Sequence, residues 1–332
     1  MKKISLILIF FFTLVLLQSF PINDFNYHLP NNTISPYSAG LGGINLVSAK
    51  DNLAFYDNPA LLSVVRNMTF AASFNVPDKN QSTNDLLNAN VLARDSKFRA
   101  FGIQAQNVGF LYNELANDSF DQADSLFNTY QDFKLRSFGL SFADTTSAKV
   151  NIGLSLRYLD GRLVYLREVM QDTLYYKDEF IDSKAMGFGT DLGIYGKKFG
   201  LYYGFVVHDL FSKIYWEGHP NTKIHTRGSF AAEIRGNNTS LISSVTSLWN
   251  IHETPIYSQA LNYTRVIGNP NQPQILDLRF GATSVDYKKS DNIMFTYGTS
   301  YMIKTFKLDI AAQTKGLKIN TAQYMFSLSI GA

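Results

Sequence analysis

Lys149-Val150-Asn151-Ile152-Gly153-Leu154-Ser155-Leu156-Arg157-Tyr158-Leu159 changes polarity at every step. Successive side chains of an extended chain point to opposite sides. Val150, Ile152, Leu154, Leu156 and Tyr158 therefore share one face, and Asn151, Gly153, Ser155 and Arg157 the other. A run of about ten residues is what a tilted strand needs to cross the hydrocarbon layer of a membrane. The pattern recurs. Met186, Phe188, Leu192 and Ile194 oppose Gly187, Gly189, Asp191 and Gly193, and Leu201, Tyr203, Phe205 and Val207 oppose Gly200, Tyr202, Gly204 and His208. Gly196-Lys197-Lys198 between these two runs reads as a hairpin turn. Later runs are Phe230 to Ile234, Leu276 to Phe280, Ile293 to Tyr301, Phe306 to Ile310 and Tyr324 to Ile330, the last reaching almost to the end of the chain.

Soluble β-sandwiches also alternate, but their strands run about five or six residues. Here the runs are longer, charged residues are only 17%, and aromatics reach 14%, with 19 Tyr and 26 Phe. Such rings collect at the lipid headgroup level. The fold class expected is all-β: an antiparallel transmembrane β-barrel with an apolar outside and a polar inside. Thirteen runs are legible, and closure of an antiparallel ring favours an even number, so fourteen strands or twelve. No cysteine is present, which excludes disulfides, thiolate metal sites and a lipidated cysteine. Of the net charge of +3, Lys2 and Lys3 supply two, so the remainder is nearly neutral and nucleic-acid binding is not expected.

Met1-Lys2-Lys3 followed by apolar Ile4 to Leu17 reads as a secretory signal. It is short for a membrane span, although an uncleaved anchor is the alternative. The expected division is residues 1–20 as signal peptide, cut between Gln18 and Ile22, 21–64 as an N-terminal plug segment, and 65–332 as barrel. Residues 78–96 read as a long exposed loop. Asn113 to Tyr130 also reads as a loop, with a helical turn over Asp121 to Phe127. Arg162 to Ser183 reads as a strand pair continued beyond the membrane.

Arg157, Asp191, Arg227, Glu233, Arg235, Asp277, Arg279, Lys307 and Asp309 all fall on the polar phase of their strands. One Arg or Lys at the lipid midplane costs roughly 2–4 kcal/mol, so these charges are expected in the lumen, paired across strands in a network that fills a narrow barrel.

Ahead of the strands stand Gly40, Gly42 and Gly43, then Asp51, then Asn58-Pro59-Ala60-Leu61. The glycines allow close backbone approach, and Asn-Pro starts a turn. No G-K-[ST] follows, so this is not a phosphate loop. The ordered set of Gly-rich turn, Asp51 and Asn58-Pro59-Ala60-Leu61 resembles the FadL-like outer-membrane families, particularly the PorV/PorQ branch. Supporting landmarks are Thr190-Asp191-Leu192-Gly193, Gly204 to Leu210, Leu276 to Gly281 and Met325 to Ile330, in family order. The resemblance implies a fourteen-stranded barrel of the bacterial outer membrane with this segment packed inside as a plug. It implies two functions: partner binding to secreted cargo in a type IX-like export apparatus, or transport of hydrophobic small molecules such as long-chain fatty acids. Outer-membrane lipid and the barrel-assembly machinery are the other expected partners. The chain ends Ile330-Gly331-Ala332, so Phe326 and Ile330 would carry the assembly signal.

No enzyme, cofactor or metal is expected. Of the five histidines, none lies in a nucleophile motif, His208 is lumen-phase beside Asp209, and the His219–His225 spacing lacks the helical pairing of zinc motifs.

Overall fold

The computed structural model describes residues 33–43, 45–76, 96–123, 127–171, 174–249, 255–268, 273–284, 293–316 and 322–331. The signal peptide and nearly all of the 78–96 loop lie outside the described residues. Two short helices, α1 (Pro36–Gly40) and α2 (Ala54–Asp57), and a 3-10 turn (Pro59–Val64) precede the strands. The first strands are β1 (Thr69–Val76), β2 (Lys97–Ala105), β3 (Val108–Ala123), β4 (Phe127–Thr145), β5 (Asn151–Gln171) and β6 (Leu174–Lys198). Then come β7 (Leu201–His208), β8 (Lys213–Trp216), β9 (Thr222–Lys223), β10 (Arg227–Arg235) and β11 (Thr239–Leu248). The last five are β12 (Ile256–Ile267), β13 (Gln274–Ser284), β14 (Met294–Ile303), β15 (Phe306–Lys315) and β16 (Gln323–Gly331).

All pairings are antiparallel, β1 pairs with β16, and the order around the wall returns to its start through β5–β6. Closure leaves no strand edge, which lipid would not tolerate because it offers backbone groups no partners. The short β8 and β9 prolong the wall positions of β7 and β10, so the ring has fourteen positions.

Short links such as 106–107, 199–200 and 304–305 lie at one end, whereas β3 to β6 run far past their neighbours at the other. Two readings of these regions change. Asn113 to Ala123 and Phe127 to Tyr130 are strand rather than loop, while residues 124–126 of the expected helical turn lie outside the described residues. β3 and β4 pair from Val108–Phe142 to Ala123–Asn128, because the ladder is satisfied between strands without apolar alternation. The hairpin turn after β6 sits at Phe199-Gly200, both at positive φ (51° and 81°), and Gly196 to Lys198 stay in the ladder. A two-residue turn with both φ positive matches the twist of the strands it joins.

The outward faces show where lipid ends. From the short-turn end upward, β4 presents Phe142, Leu140 and Phe138, then Arg136 and Lys134; β5 presents Ile152, Leu154, Leu156 and Tyr158, then Asp160 and Arg162. On β6 the change comes between Met186 and Lys184. A row of rings marks this level. Phe326, Phe74, Phe98, Tyr112, Phe138 and Tyr158 follow one another across neighbouring strands with centroids 5.0–6.4 Å apart. Phe188, opposite Tyr158, and Tyr215 continue the row at 6.1 Å. Aromatic girdles of this kind sit at membrane–water interfaces. Above the row the polarity inverts. The outside carries ion pairs such as Arg162–Asp182 (2.9 Å), while the inside holds buried Phe133, Leu135, Leu159, Leu163, Ile181, Ile214 and Trp216.

If Leu156 faces the lipid midplane, Leu156→Arg lowers stability by roughly 2–4 kcal/mol in denaturant unfolding from lipid vesicles. A cost under 1 kcal/mol would place that face in water.

Candidate functional site

Residues 33–65 lie inside the ring, level with the apolar belt, and their turns are fixed by local chemistry. Ser35 caps α1 by accepting the Tyr37 N–H at 3.0 Å, and Pro36 takes an early position where no donor is needed. Gly42 and Gly43 then reverse the chain at φ +87° and +99°, a region where a side chain is penalised. Asn45 closes the next turn, accepting Ser48 N–H at 3.0 Å and donating to Ser48 O at 2.7 Å. Asn58 caps the 3-10 turn through the Ala60 N–H (3.0 Å) and donates to Leu46 O (2.8 Å) and to Ile194 O in the wall (3.1 Å).

Lumen-phase glycines of the wall make room for this segment. A methyl group on Gly153 would collide with the Ala60 backbone, one on Gly193 with the Asn58 side chain, and one on Gly204 with the Leu46 carbonyl. Gly281 and Gly298 stand likewise against Gly42 and Gly40. Leu53, Phe55 and Leu62 pack with Ala71, Ala100 and Leu111 of the wall, and Leu46, Ala60 and Leu61 with Val206, Ala231 and Ile242.

The wall charges hold the other side of the segment. The Tyr37 ring lies between Arg279 (4.2 Å) and Lys307 (4.8 Å). Lys307 Nζ donates to Lys50 O at 2.8 Å, Arg235 to Val47 O at 2.9 Å, and Lys50 Nζ reaches Asp277 at 3.5 Å. Asp309 accepts from Lys307 (2.8 Å) and Arg279 (3.2 Å), and Glu233 from Arg235 (2.7 Å). The sequence reading expected these charges to pair across strands in a network that fills a narrow barrel. Arg279–Asp309 and Arg157–Asp191 pair across strands, Lys307–Asp309 and Arg235–Glu233 pair within one, and three cations also grip or face the segment, because a folded polypeptide occupies the space.

Arg157 belongs to a different cluster. β7 stops at His208, and pairing with β6 resumes at β8, so three residues of β6 stand opposite five of the partner strand. This double bulge turns Asp209 inward at φ +58°. Arg157 Nη2 donates to Asp191 (2.8 Å) and Asp209 (2.6 Å), Ser212 donates to Asp209 (2.7 Å), and His208 Nδ1 lies 3.4 Å from Asp191. Beside it is a cleft lined by Tyr56, Leu115, Arg157, His208, Asp209, Ile224 and Arg227. Tyr56 brings the segment to the floor of this cleft, while Leu115 and Ile224 belong to the apolar interior above. The cleft thus lies between a packed apolar cluster above and the polar, segment-covered floor below.

Every residue singled out in the sequence lies in or around this interior: Gly40, Gly42, Gly43, Asp51, Asn58, Pro59, Ala60 and Leu61 in the segment, and the nine charges on the wall. Tyr37, Ser38, Asp57, Ser212 and the seat glycines were missed. Gly153, Gly193 and Gly204 carried a usable signal, since glycine on a lumen-phase position implies that another backbone comes close.

Gly153→Val and Gly193→Val should leave the ring intact and push the segment off its seat. Overpacking costs about 1–3 kcal/mol, so thiol labelling of Ala60→Cys should accelerate roughly tenfold or more. An unchanged labelling rate would contradict the seat.

No protein-family model and no curated protein matches the sequence. Solved structures do. The Ralstonia pickettii toluene transporter TbuX superposes with a TM-score of 0.57 at 11% identity, covering 91% of this chain and 98% of that one. The P. putida toluene transporter TodX gives 0.56 at 12%, covering 92% and 99%. A Pseudomonas aeruginosa FadL homologue gives 0.51 at 11%, covering 90% and 97%. The likeness shows the fold, a closed β-barrel of the FadL type, and the apolar belt of that closed ring is what sets it in the bacterial outer membrane.

Proposed function

We propose that the barrel passes hydrophobic small molecules across the outer membrane, with residues 33–65 as a plug that the cargo must get past. The observation that carries this reading is the inverted polarity above the aromatic row. A water-filled pore would keep its lumen polar throughout, whereas here Phe133, Leu135, Leu159, Leu163, Ile181 and Trp216 pack together inside the ring beyond the membrane, directly above the Tyr56–Arg157 cleft. An apolar surround with a few convergent polar groups is how small-molecule sites are usually built, and cargo would enter by parting this cluster. The fold is that of proteins named as toluene transporters and of a FadL homologue, which supports the same reading.

Binding of secreted cargo in an export apparatus ranks second. It draws on the β5–β6 hairpin, which projects past the membrane with Leu174, Tyr176 and Phe180 more than half exposed. A partner could pack on these residues without entering the lumen.

The protein has two tryptophans, Trp216 in the buried apolar cluster and Trp249 exposed, so Trp249→Phe leaves one reporter in that cluster. Transport predicts that a monoaromatic hydrocarbon or a long-chain fatty acid shifts Trp216 emission saturably. Leu163→Lys, which puts an ammonium among those side chains, should weaken the response roughly tenfold or more. No saturable change with any hydrophobic compound would contradict the proposal. Deleting residues 22–64 should also raise the conductance of the barrel in planar bilayers, and unchanged conductance would remove the plug role.

A further inference from the structure

Ser38 in α1 has one hydroxyl hydrogen and two carboxyl neighbours. Its Oγ lies 2.5 Å from Asp57 Oδ2 and 3.2 Å from Asp51 Oδ2, and all three residues are buried. The remaining contacts tie separate parts of the segment to the same point. Asp57 Oδ2 accepts the Asn45 N–H at 3.1 Å, and Asp51 Oδ1 accepts the Leu53 N–H at 2.9 Å, just ahead of α2. The knot therefore joins α1, the Asn45 turn and α2.

A serine hydroxyl donates only once, so Ser38 cannot serve two carboxylate anions at these distances. If one carboxyl keeps its proton, that acid donates to Oγ and the Oγ hydrogen goes to the other, and every contact is satisfied. Two ionised carboxylates bridged by one oxygen and shielded from water would instead repel each other. We propose that Asp51 and Asp57 hold one proton between them through Ser38, and that this proton latches the folded segment onto its seat.

The groups facing the pair come from several elements. Ser35, Lys307 and Asp309 act on Asp51, and Arg227 of β10 acts on Asp57. Lys307 is 2.8 Å from Asp309, so much of its charge is already matched. Burial outweighs the neighbours: it pushes both carboxyls up from the ordinary range, Asp57 to about 7. The proton belongs to the pair rather than to either residue.

The sign of the pH dependence follows. Unseated and hydrated, the carboxyls titrate near their ordinary value of about 4. The seated segment therefore binds more protons than the unseated one from about pH 4 up to the raised value, and its seating weakens as pH rises through that window. One proton changes the seating equilibrium by at most about tenfold per pH unit, and above the raised value the dependence flattens. The latch needs the segment inside the barrel but does not depend on transport through it.

The test uses the full-length barrel in lipid vesicles and does not read transport. Infrared difference spectroscopy at about pH 6 should show the C=O stretch of a buried protonated carboxyl that bleaches as pH is raised. Asp57→Asn and Asp51→Asn should each remove it, because the amide supplies the hydrogen that the shared proton supplied. Thiol labelling of Ala60→Cys, taken relative to an exposed Ser147→Cys control that carries the intrinsic thiolate dependence, should accelerate with pH in the otherwise unchanged chain, and this ratio should lose its pH dependence in either Asn variant. Absence of the band in the wild-type protein overturns the shared proton, whatever the variants do. A band that survives in both variants assigns the proton elsewhere and overturns it too. A control-corrected labelling ratio with the same pH slope in both variants overturns the latch.

Discussion

A β-strand has two faces and no third, and this protein depends on what each face meets at each height. Within the lipid belt the outward side chains are apolar and the inward ones small or polar. Past Phe138, Tyr158 and Phe188 the assignment reverses, with charge outside and hydrocarbon inside. The same four strands, β3 to β6, cross both regimes, with single register shifts at Glu114/Ala116 and Arg167/Glu168, and stay paired on both sides of the change. Only the side chains record it. Burial of apolar surface is worth roughly 25 cal/mol per Å² in either regime; lipid receives it in one and the vestibule core in the other.

The reversal gives the polar part of the lumen a definite task. At belt level the wall alone supplies little apolar core, because most of its apolar residues are turned outward, and the segment brings Leu46, Leu53, Phe55, Leu61 and Leu62 to it. The interior is instead packed by a folded segment whose helices, caps and glycine turns satisfy their own polar groups, set against wall glycines on one side and cations on the other. Such a seat combines two apolar clusters shared by segment and wall with individually modest hydrogen bonds, each worth about 1 kcal/mol net. A segment held this way can be released by local change without dismantling the ring, whose ladder is independent of it.

How much of this was legible in the sequence followed the range of the interaction. Alternation is local, so the faces of β5, β6, β10 and β13 to β16 could be read residue by residue, and with them the phase of each buried charge. Asn113 to Tyr130 could not be read, because much of it stands above the belt, where the outward face is polar and the contrast disappears. The turn at Phe199-Gly200 was misplaced because Gly196 looked like the turn glycine, whereas it lies in the strand against Tyr203. What the charges hold was out of reach for another reason. Lys307 meets Lys50 across 257 residues of sequence, and no local pattern announces such a contact. Lumen-phase Gly153, Gly193 and Gly204 were the sign in the wall itself that another backbone had to lie against it.

The account depends most on the polarity boundary. Because the chain has no cysteine, spin labels can be placed singly at Leu154, Leu156, Asp160 and Arg162 through cysteine substitutions and read in vesicles for access to oxygen and to a water-soluble relaxant. The account predicts oxygen-dominated relaxation at Leu154 and Leu156, and a switch to the water-soluble agent at Asp160 and Arg162, across the level of Tyr158. A uniform response along all four positions would contradict it.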